Sequence, residues 1–470
     1  MSTQYDSIID DLMTDLNGKQ GELETNQAYY DASFRLKALG LSTPPEMRFL
    51  TAAVGWPAMY VSSLEERLDV EDFRLGDESE GDERLRNWWQ ANLLDVESGP
   101  GHTETLVHGI SYITVSAPDE DQDEDPSIPI IKLESPFNFI AKQDYRTRKV
   151  KSALRVYEDP EIPNEKYVAL FLPDRTVYLG QSKNSSSQWF IDHVVMHDLG
   201  RVLVSPLVNR NRIHQWCGVS EISKELRSAT DAASRIMMNL QSAAELMAIP
   251  QRILFGVSEE DFPVDVTKPG AAMEAYMARI MAFENEAGKA TQFQSAELRN
   301  YVEAIELLAK QVASYTGLPP QYLSFSSDNP ASAEAIKSAE SRLIKKVERK
   351  SRMFGQSWEE AMRLGMLVID GEIPRDAYKL ETVWRDPSTP TFAAKADGTT
   401  KLHAAGIIPT KQARIDLGYT DIQIKEMERM DKTDPVSMMN QLLFQNDATQ
   451  QSLDNQANAN AAKSVQPGTA

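Results

Sequence analysis

Two histidines raise the first question of chemistry. His193 and His197 stand in HVVMH, a spacing that on a helix would aim two imidazoles at one zinc ion. A zinc protease also needs a glutamate directly after the first histidine, and Val194 occupies that place. The flanking VVMHDLGRVLVSPLV reads as strand rather than helix, so the pair is read as structural. Gly288-Lys289 lacks both the preceding glycine and the following Ser or Thr of a phosphate-cradling P-loop. No G-x-S-x-G elbow presents a nucleophilic serine. Carboxylates are abundant, but none falls in a strand-end cluster of the kind a metal-dependent nuclease uses. These residues predict no catalytic group, no cofactor and no metal.

Positive charge is the second candidate. SRLIKKVERKSR, Ser341 to Arg352, sets Arg342, Lys345, Lys346, Arg349, Lys350 and Arg352 against one acid, Glu348. Such a run is either a solvated helix face paired with acids of a neighbour, or a belt of cations near passing phosphates or at a subunit contact. The rest of the chain sets the context: 470 residues carry a formal net charge of −21. That surface repels phosphates at long range and argues against a free, tight DNA-binding domain. Cys217 is the only cysteine, which excludes an intramolecular disulfide and a Cys-rich zinc module. MSTQYDSIIDDL lacks an apolar signal core, and no run approaches the ~20 apolar residues that span a bilayer. The expectation is a soluble protein kept in a reducing compartment.

The elements that must position these residues follow from periodicity. Residues 1 to about 90 read as helical, with Tyr29, Tyr30, Phe34, Leu36 and Leu39 on a helix ended by Gly40, and Pro44-Pro45 marking a turn. From about 105 to 215 the pattern is strand-like: SYITVSA, YRTRKVKSALRVYE and KYVALFLPDRTVYLG are β-branched and aromatic, with turn residues between them. Inside this region APDEDQDEDPS carries six acids and no base, and is read as a solvated loop because the glycine-turned ligand spacing of a calcium site is missing. After Gly218, Ser220 is placed to cap a helix whose stripe runs from Ile222 through Leu226, Ala229 and Ala233 to Met247, ended by Pro250. A compact insert follows, with a strand in QRILFGV and a short helix around GAAMEAYMARIMAF. Beyond Gly371 come a strand-like YKLETVWRD, a helix from about Thr389 to Ala405 and a small helical module, GIIPTKQARIDLGYTDIQIKEMERM. The Gln-, Asn- and Ala-rich residues 435–470 predict a disordered tail.

Between the two most regular stretches lies a stiff break. A helix from near Ser295 shows Leu298, Tyr301, Val302, Ile305, Leu308, Val312 and Tyr315 as its apolar face. Gly317 is placed to supply the left-handed residue beyond its end, and Pro319-Pro320 forbid continuation. Asn329 as N-cap and Pro330 at the first position then start a helix striped by Ile336, Leu343, Val347, Phe354, Trp358 and Met362. Gln321 to Asp328 are small and polar apart from Tyr322, Leu323 and Phe325.

The order of these elements resembles the portal proteins of tailed bacteriophages, in particular the branch common in phages of actinobacteria. NQAYYDASFRLKALG, HDLGRVLVSPLVNR leading into GVSEISKELRSATDAASRIMMNLQ, and TGLPPQYLSFSSDNPASAEAIKSAESRL carry the resemblance, which covers roughly residues 20 to 430. It implies an α+β, mainly helical fold with a β-rich wing over 1–219, stem helices at 220–247 and 295–317, and a small α/β clip at 248–294. It further implies a tunnel loop at 318–331, a long wing-crossing helix and return over 332–384, and a helical crown at 385–434. The implied assembly is a homo-oligomeric ring of about twelve copies at one capsid vertex, assembled in the bacterial cytoplasm and carried in the virion, with no membrane contact. Its implied partners are double-stranded DNA, a terminase, a head–tail adaptor, and the major capsid protein with its scaffold. The tunnel loop would bring Gln321, Tyr322, Ser324, Phe325, Ser326, Ser327 and Asn329 near the DNA. Two other classes stay open: another oligomeric head–tail connector or minor capsid protein, and a packaging-associated metal-dependent nuclease.

Overall fold

The fold is seen in a computed structural model, which describes residues 4–33, 52–76, 81–119, 125–158, 165–182, 189–248, 252–255, 280–283, 298–323, 333–388, 392–419 and 421–433. It mixes helix and sheet, 53% and 19%, so helix predominates. Two compact units divide the chain at Pro387.

In the first unit, helix α1 (Asp6–Tyr30) lays Ile9, Leu12 and Leu16 on a five-stranded antiparallel meander. Its strands are β4 (Phe139–Gln143), β5 (Val150–Tyr157), β6 (Glu165–Phe171), β7 (Arg175–Ser182) and β8 (Phe190–Met196). Alternation along the inner strands sends Leu154, Val168, Leu170, Val177 and Leu179 to that core, which includes Trp189. α1 stops at Tyr30, ten residues before the expected Gly40. Ala32 takes the left-handed φ of 51°, and the amides of Ala32 and Ser33 reach back to Tyr29 and Ala28. This is the six-to-one closure that glycine usually provides; alanine in its place carries no stop signal. Phe34 to Gly40 lie outside the described residues.

Helices α2 (Trp56–Glu65), α3 (Glu83–Ala91) and α4 (Leu94–His108) precede a three-stranded sheet in which β2 (Ile110–Ser116) pairs with β3 (Ile130–Glu134) and β9 (Val204–Val208). β1 (Val70–Arg74) pairs antiparallel with β12 (Glu381–Trp384). Helices α5 (Lys224–Ala248) and α6 (Arg299–Thr316) pack together through Ala229, Ala233, Ala309 and Ala313, whose small side chains let the backbones approach. The start of α5 meets the end of α6, so the pair is antiparallel. Ser223, not Ser220, caps α5: its hydroxyl accepts the Leu226 amide at 3.3 Å, while Ser220 turns to the Ile222 amide. On α6 the buried residues are Ala309, Val312, Ala313 and Thr316, and the expected apolar positions Val302 and Tyr315 are exposed within the protomer. In the insert, β10 (Arg252–Phe255) pairs in parallel with β11 (Ile280–Phe283), so the end of the expected short helix is strand.

The longest element is α7 (Ala333–Asp370), 38 residues and hence ~57 Å. Leu343, Val347 and Phe354 enter one core with α2, α5 and α6, whereas Trp358, Met362 and Leu364 enter a second with α3, β2 and β3. One rigid rod thus ties two cores. The second unit contains α8 (Phe392–Ala404), α9 (Thr410–Leu417) and α10 (Asp421–Thr433). Among the described residues no helix is long and apolar enough to cross a membrane.

Candidate channel loop and its anchorage

The loop begins where α6 is stopped. Gly317 has a left-handed φ of 79° and its amide bonds the Ala313 carbonyl at 2.8 Å. Leu318 turns inward and is buried, and Pro319 is extended ahead of a 3-10 turn over Pro320–Tyr322. Two cations of α7 then cap the free carbonyls at the end of α6. Arg342 donates to Ser314 O at 2.8 Å, and Lys346 donates to Thr316 O at 2.5 Å. Both sit where the helix dipole concentrates negative charge.

Tyr322 is a second anchor. Its hydroxyl donates to Glu340 Oε1 at 2.7 Å and accepts from Arg67 at 3.2 Å, while Arg67 and Glu340 pair at 3.7 Å. Burial raises the Tyr322 phenol and the Glu340 bond adds to it, so the hydroxyl stays a donor. Tyr322 is therefore turned into the protomer, joining α7 to the arm after α2. Gln321 is exposed. Ser324, Phe325, Ser326, Ser327 and Asn329 lie outside the described residues, as does the expected cap that starts α7.

Beneath this turn runs a buried polar chain. Lys346 also donates to the Tyr60 hydroxyl at 2.9 Å, and Tyr60 donates to Glu221 Oε2 at 2.7 Å. Lys350, 3% exposed, donates to Glu221 Oε1 and Asn209 Oδ1, each at 2.5 Å. Asn209 closes the set by donating to Glu221 and to the Val219 carbonyl. Burial, the largest influence, would raise the Glu221 carboxyl, but the charge and hydrogen bond of Lys350 together with the hydrogen bonds of Asn209 and Tyr60 outweigh it and hold it at about 2. Burial and then the Glu221 charge push the Tyr60 phenol well up, and burial lowers the Lys346 ammonium. Every charge taken from water here has a counter-group.

The basic run on α7 therefore divides. Lys350 is buried and Lys346 is half-buried, and both spend their ammonium groups on bonds within the protomer. Arg342, Lys345, Arg349 and Arg352 are exposed on the adjoining face, Lys345 pairing with Glu348 at 2.7 Å. A sequence signal for this split exists: 343, 347, 350 and 354 step by four, three and four, so Lys350 occupies a core register.

The histidine pair does not lie on a helix. His193 is on β8, with its ring stacked on Tyr178 at 4.1 Å, and His197 lies in the loop beyond the strand. Among the described residues no group of three His, Cys, Asp or Glu side chains converges on a point that could hold a metal.

Residues 10–434 match the family described as "Phage portal protein, SPP1 Gp6-like". The "Portal protein" of Mycobacterium phage L5 is 50% identical over 416 residues, covering 87% of this chain and 85% of its relative. The chain belongs to the phage portal protein family. The "Portal protein" of Mycobacterium phage D29 is 49% identical over 428 residues, 90% of this chain and 88% of that one. A solved chain described as "Neck of native GTA particle computed with C12 symmetry" aligns over 78% of this chain and 91% of its own length, at 12% identity and a TM-score of 0.40. Portal proteins are structural components of the virion capsid and form oligomeric rings in phage heads. The role of the family is structural.

Proposed function

We propose that this portal protein closes into a ring of about twelve copies around a channel at the unique capsid vertex. The ring is a passive path for double-stranded DNA entering during packaging and leaving during ejection, and a docking site for the terminase and the head–tail adaptor, with capsid protein and scaffold around it. Assembly takes place in the host cytoplasm. In this reading α5 and α6 form the stem, 248–294 the clip, 318–331 the tunnel loop, α7 the wing-crossing helix and 385–434 the crown. The observation that carries it is the identity of about half with portal proteins over most of both chains. Its structural support is the fixed launch of the loop. Gly317, the Arg342 and Lys346 caps and the Tyr322 anchor hold one end, and α7 holds the other.

Head-to-tail contacts close into rings when the rotation closes. Electron microscopy of the purified full chain tests the reading: rings with a hole about one duplex wide are expected, and monomers at every concentration would refute it.

A further inference from the structure

The two ends of α4 adjoin exposed apolar residues flanked by opposite charge. At its C-terminal end, Gly109 meets the loop 209–219 backbone to backbone. The Asn209 amide bonds Gly109 O at 2.8 Å and the Glu221 amide bonds Leu106 O at 2.9 Å. Gly218 lies so close that a side chain there would strike the Gly109 carbonyl at 1.9 Å. The loop is ordered by its own bonds, Gln215 Oε1 accepting the amides of Asn211 and Arg212 at 3.0 and 2.9 Å. It packs against the β4–β5 turn, where Asp144 is spent on the Arg146 and Thr147 amides. Trp216 is covered by Arg148 at 3.9 Å and by Arg210 at 5.3 Å. Tyr145 and Ile213 project beside them, 103% and 81% exposed. Among the described residues, Arg148, Arg210 and Arg212 make no ion pair. This is an apolar prong ringed by guanidinium groups, in a chain of net charge −21.

The N-terminal end of α4 is its counterpart. Leu93 holds a left-handed φ of 53°, a conformation unfavourable for leucine, and is 64% exposed; Val96 is 66% exposed. Asp95 and Glu97 flank them on the same exposed turn. The two surfaces are separated by the 15 residues of α4, roughly 20 Å, so they do not satisfy each other within one protomer. A ring contact needs two different, complementary patches on each copy, and these are placed at opposite ends of one rigid element.

We infer that the guanidinium corner around Trp216, Ile213 and Arg148 docks on the Leu93–Glu97 corner of the neighbouring copy. The inference rests on the ring reading above. It joins apolar contact to charge pairing between unlike patches, which fixes register and polarity of the contact.

Cys217 lies in the first corner, is exposed and is the only cysteine, which supplies a probe. In a Val96→Cys chain treated with a short bismaleimide, each copy can be linked at both ends, so a ladder of dimer, trimer and higher species is expected. The wild-type chain, with one thiol, should yield at most dimers. Separately, Arg148→Glu with Arg210→Glu should raise the protomer concentration needed for rings roughly tenfold or more. Adding Asp95→Arg and Glu97→Arg should restore it, which a folding defect would not allow. Wild-type rings without a ladder, or rings indifferent to the reversal, would overturn the inference and leave the ring reading intact. Loss of duplex-DNA binding by the reversal, with rings unchanged, would assign the corner to DNA instead. Monomers for the wild type would sink the ring reading and this inference with it.

Discussion

Lys350 is the cation on which the buried network under α7 depends most directly. Replacing it by methionine keeps the stem length and removes both bonds of its ammonium, leaving the Glu221 carboxylate buried with only Asn209 and Tyr60. Two routes give the expected loss. Breaking a buried ion pair by removing one partner costs about 3–5 kcal/mol. Alternatively Glu221 takes up a proton. Its carboxyl is held at about 2 against an ordinary 4.5, and forfeiting that shift costs about 3 kcal/mol at 1.36 per unit. Lys346 feels the Glu221 charge and takes up part of it, which places the outcome near the lower end, about 3 kcal/mol. The assay is urea unfolding of the full chain followed by tryptophan fluorescence, with Lys350→Met, Glu221→Gln and the double variant forming a cycle. The double variant should recover most of the single loss, because no unpaired charge remains. A Lys350→Met loss below about 1 kcal/mol, the size of an exposed pair, would refute the buried network, as would a double variant equal to the sum of the singles.

Acid sensitivity should come from two histidines. Burial lowers His102 to about 3 and His108 to about 4 from an ordinary 6.5. The folded chain refuses protons that the unfolded chain binds, so stability is full above 6.5 and falls as pH drops toward 4. The slope reaches about 1.4 kcal/mol per pH unit for each ring; His102→Gln, which can still accept from Trp358, should remove about half of it, and an unchanged slope would count against the assignment. Gly317→Ala should cost about 1–2 kcal/mol, since its φ is 79° and the new carbon would meet Arg342 Cδ at 3.1 Å; a neutral result in the same unfolding assay would contradict the left-handed stop. Deletions within Ser324 to Asn329 should leave rings intact in micrographs and reduce DNA packaging or retention. Rings lost, or packaging untouched, would end the tunnel-loop assignment.

Where a single period governs, the sequence was readable. The α7 stripe of Leu343, Val347, Phe354, Trp358 and Met362 is buried as spaced, and Gly317 stops α6 as its position implies. Where structure depends on contacts between distant segments, it was not. Glu221, Asn209 and Tyr60 come from a pre-helix turn, a strand end and α2, and no local pattern connects them. His102 was equally silent: its ring accepts the Trp358 indole at 3.0 Å and stacks on Phe354, both on α7. The end of α1 escaped because Ala32 does the work of a glycine. Val302 and Tyr315 misled because they are apolar by type, while α5 needs alanines to come close.

The division of the basic run changes what α7 can offer to DNA. Six cations in twelve residues suggest a grip; the folded chain ties Lys346 and Lys350 into bonds within the protomer, spends Arg342 on a helix end and pairs Lys345 with Glu348. Among the described residues this leaves Arg349 and Arg352 exposed without an ion pair. In the proposed ring of twelve, this run would present two unpaired cations per copy on a chain of net charge −21, or a ring near −250 formal charges. Screening confines each contact to about 8 Å at physiological salt, so such cations act only where a phosphate passes directly over them. Counterion release by so few contacts gives weak binding that a further approach to the acidic wall opposes. In that proposed ring Lys346 would hold the launch of the loop, Lys350 would hold the network beneath it, and the surface left on α7 would favour passage over capture.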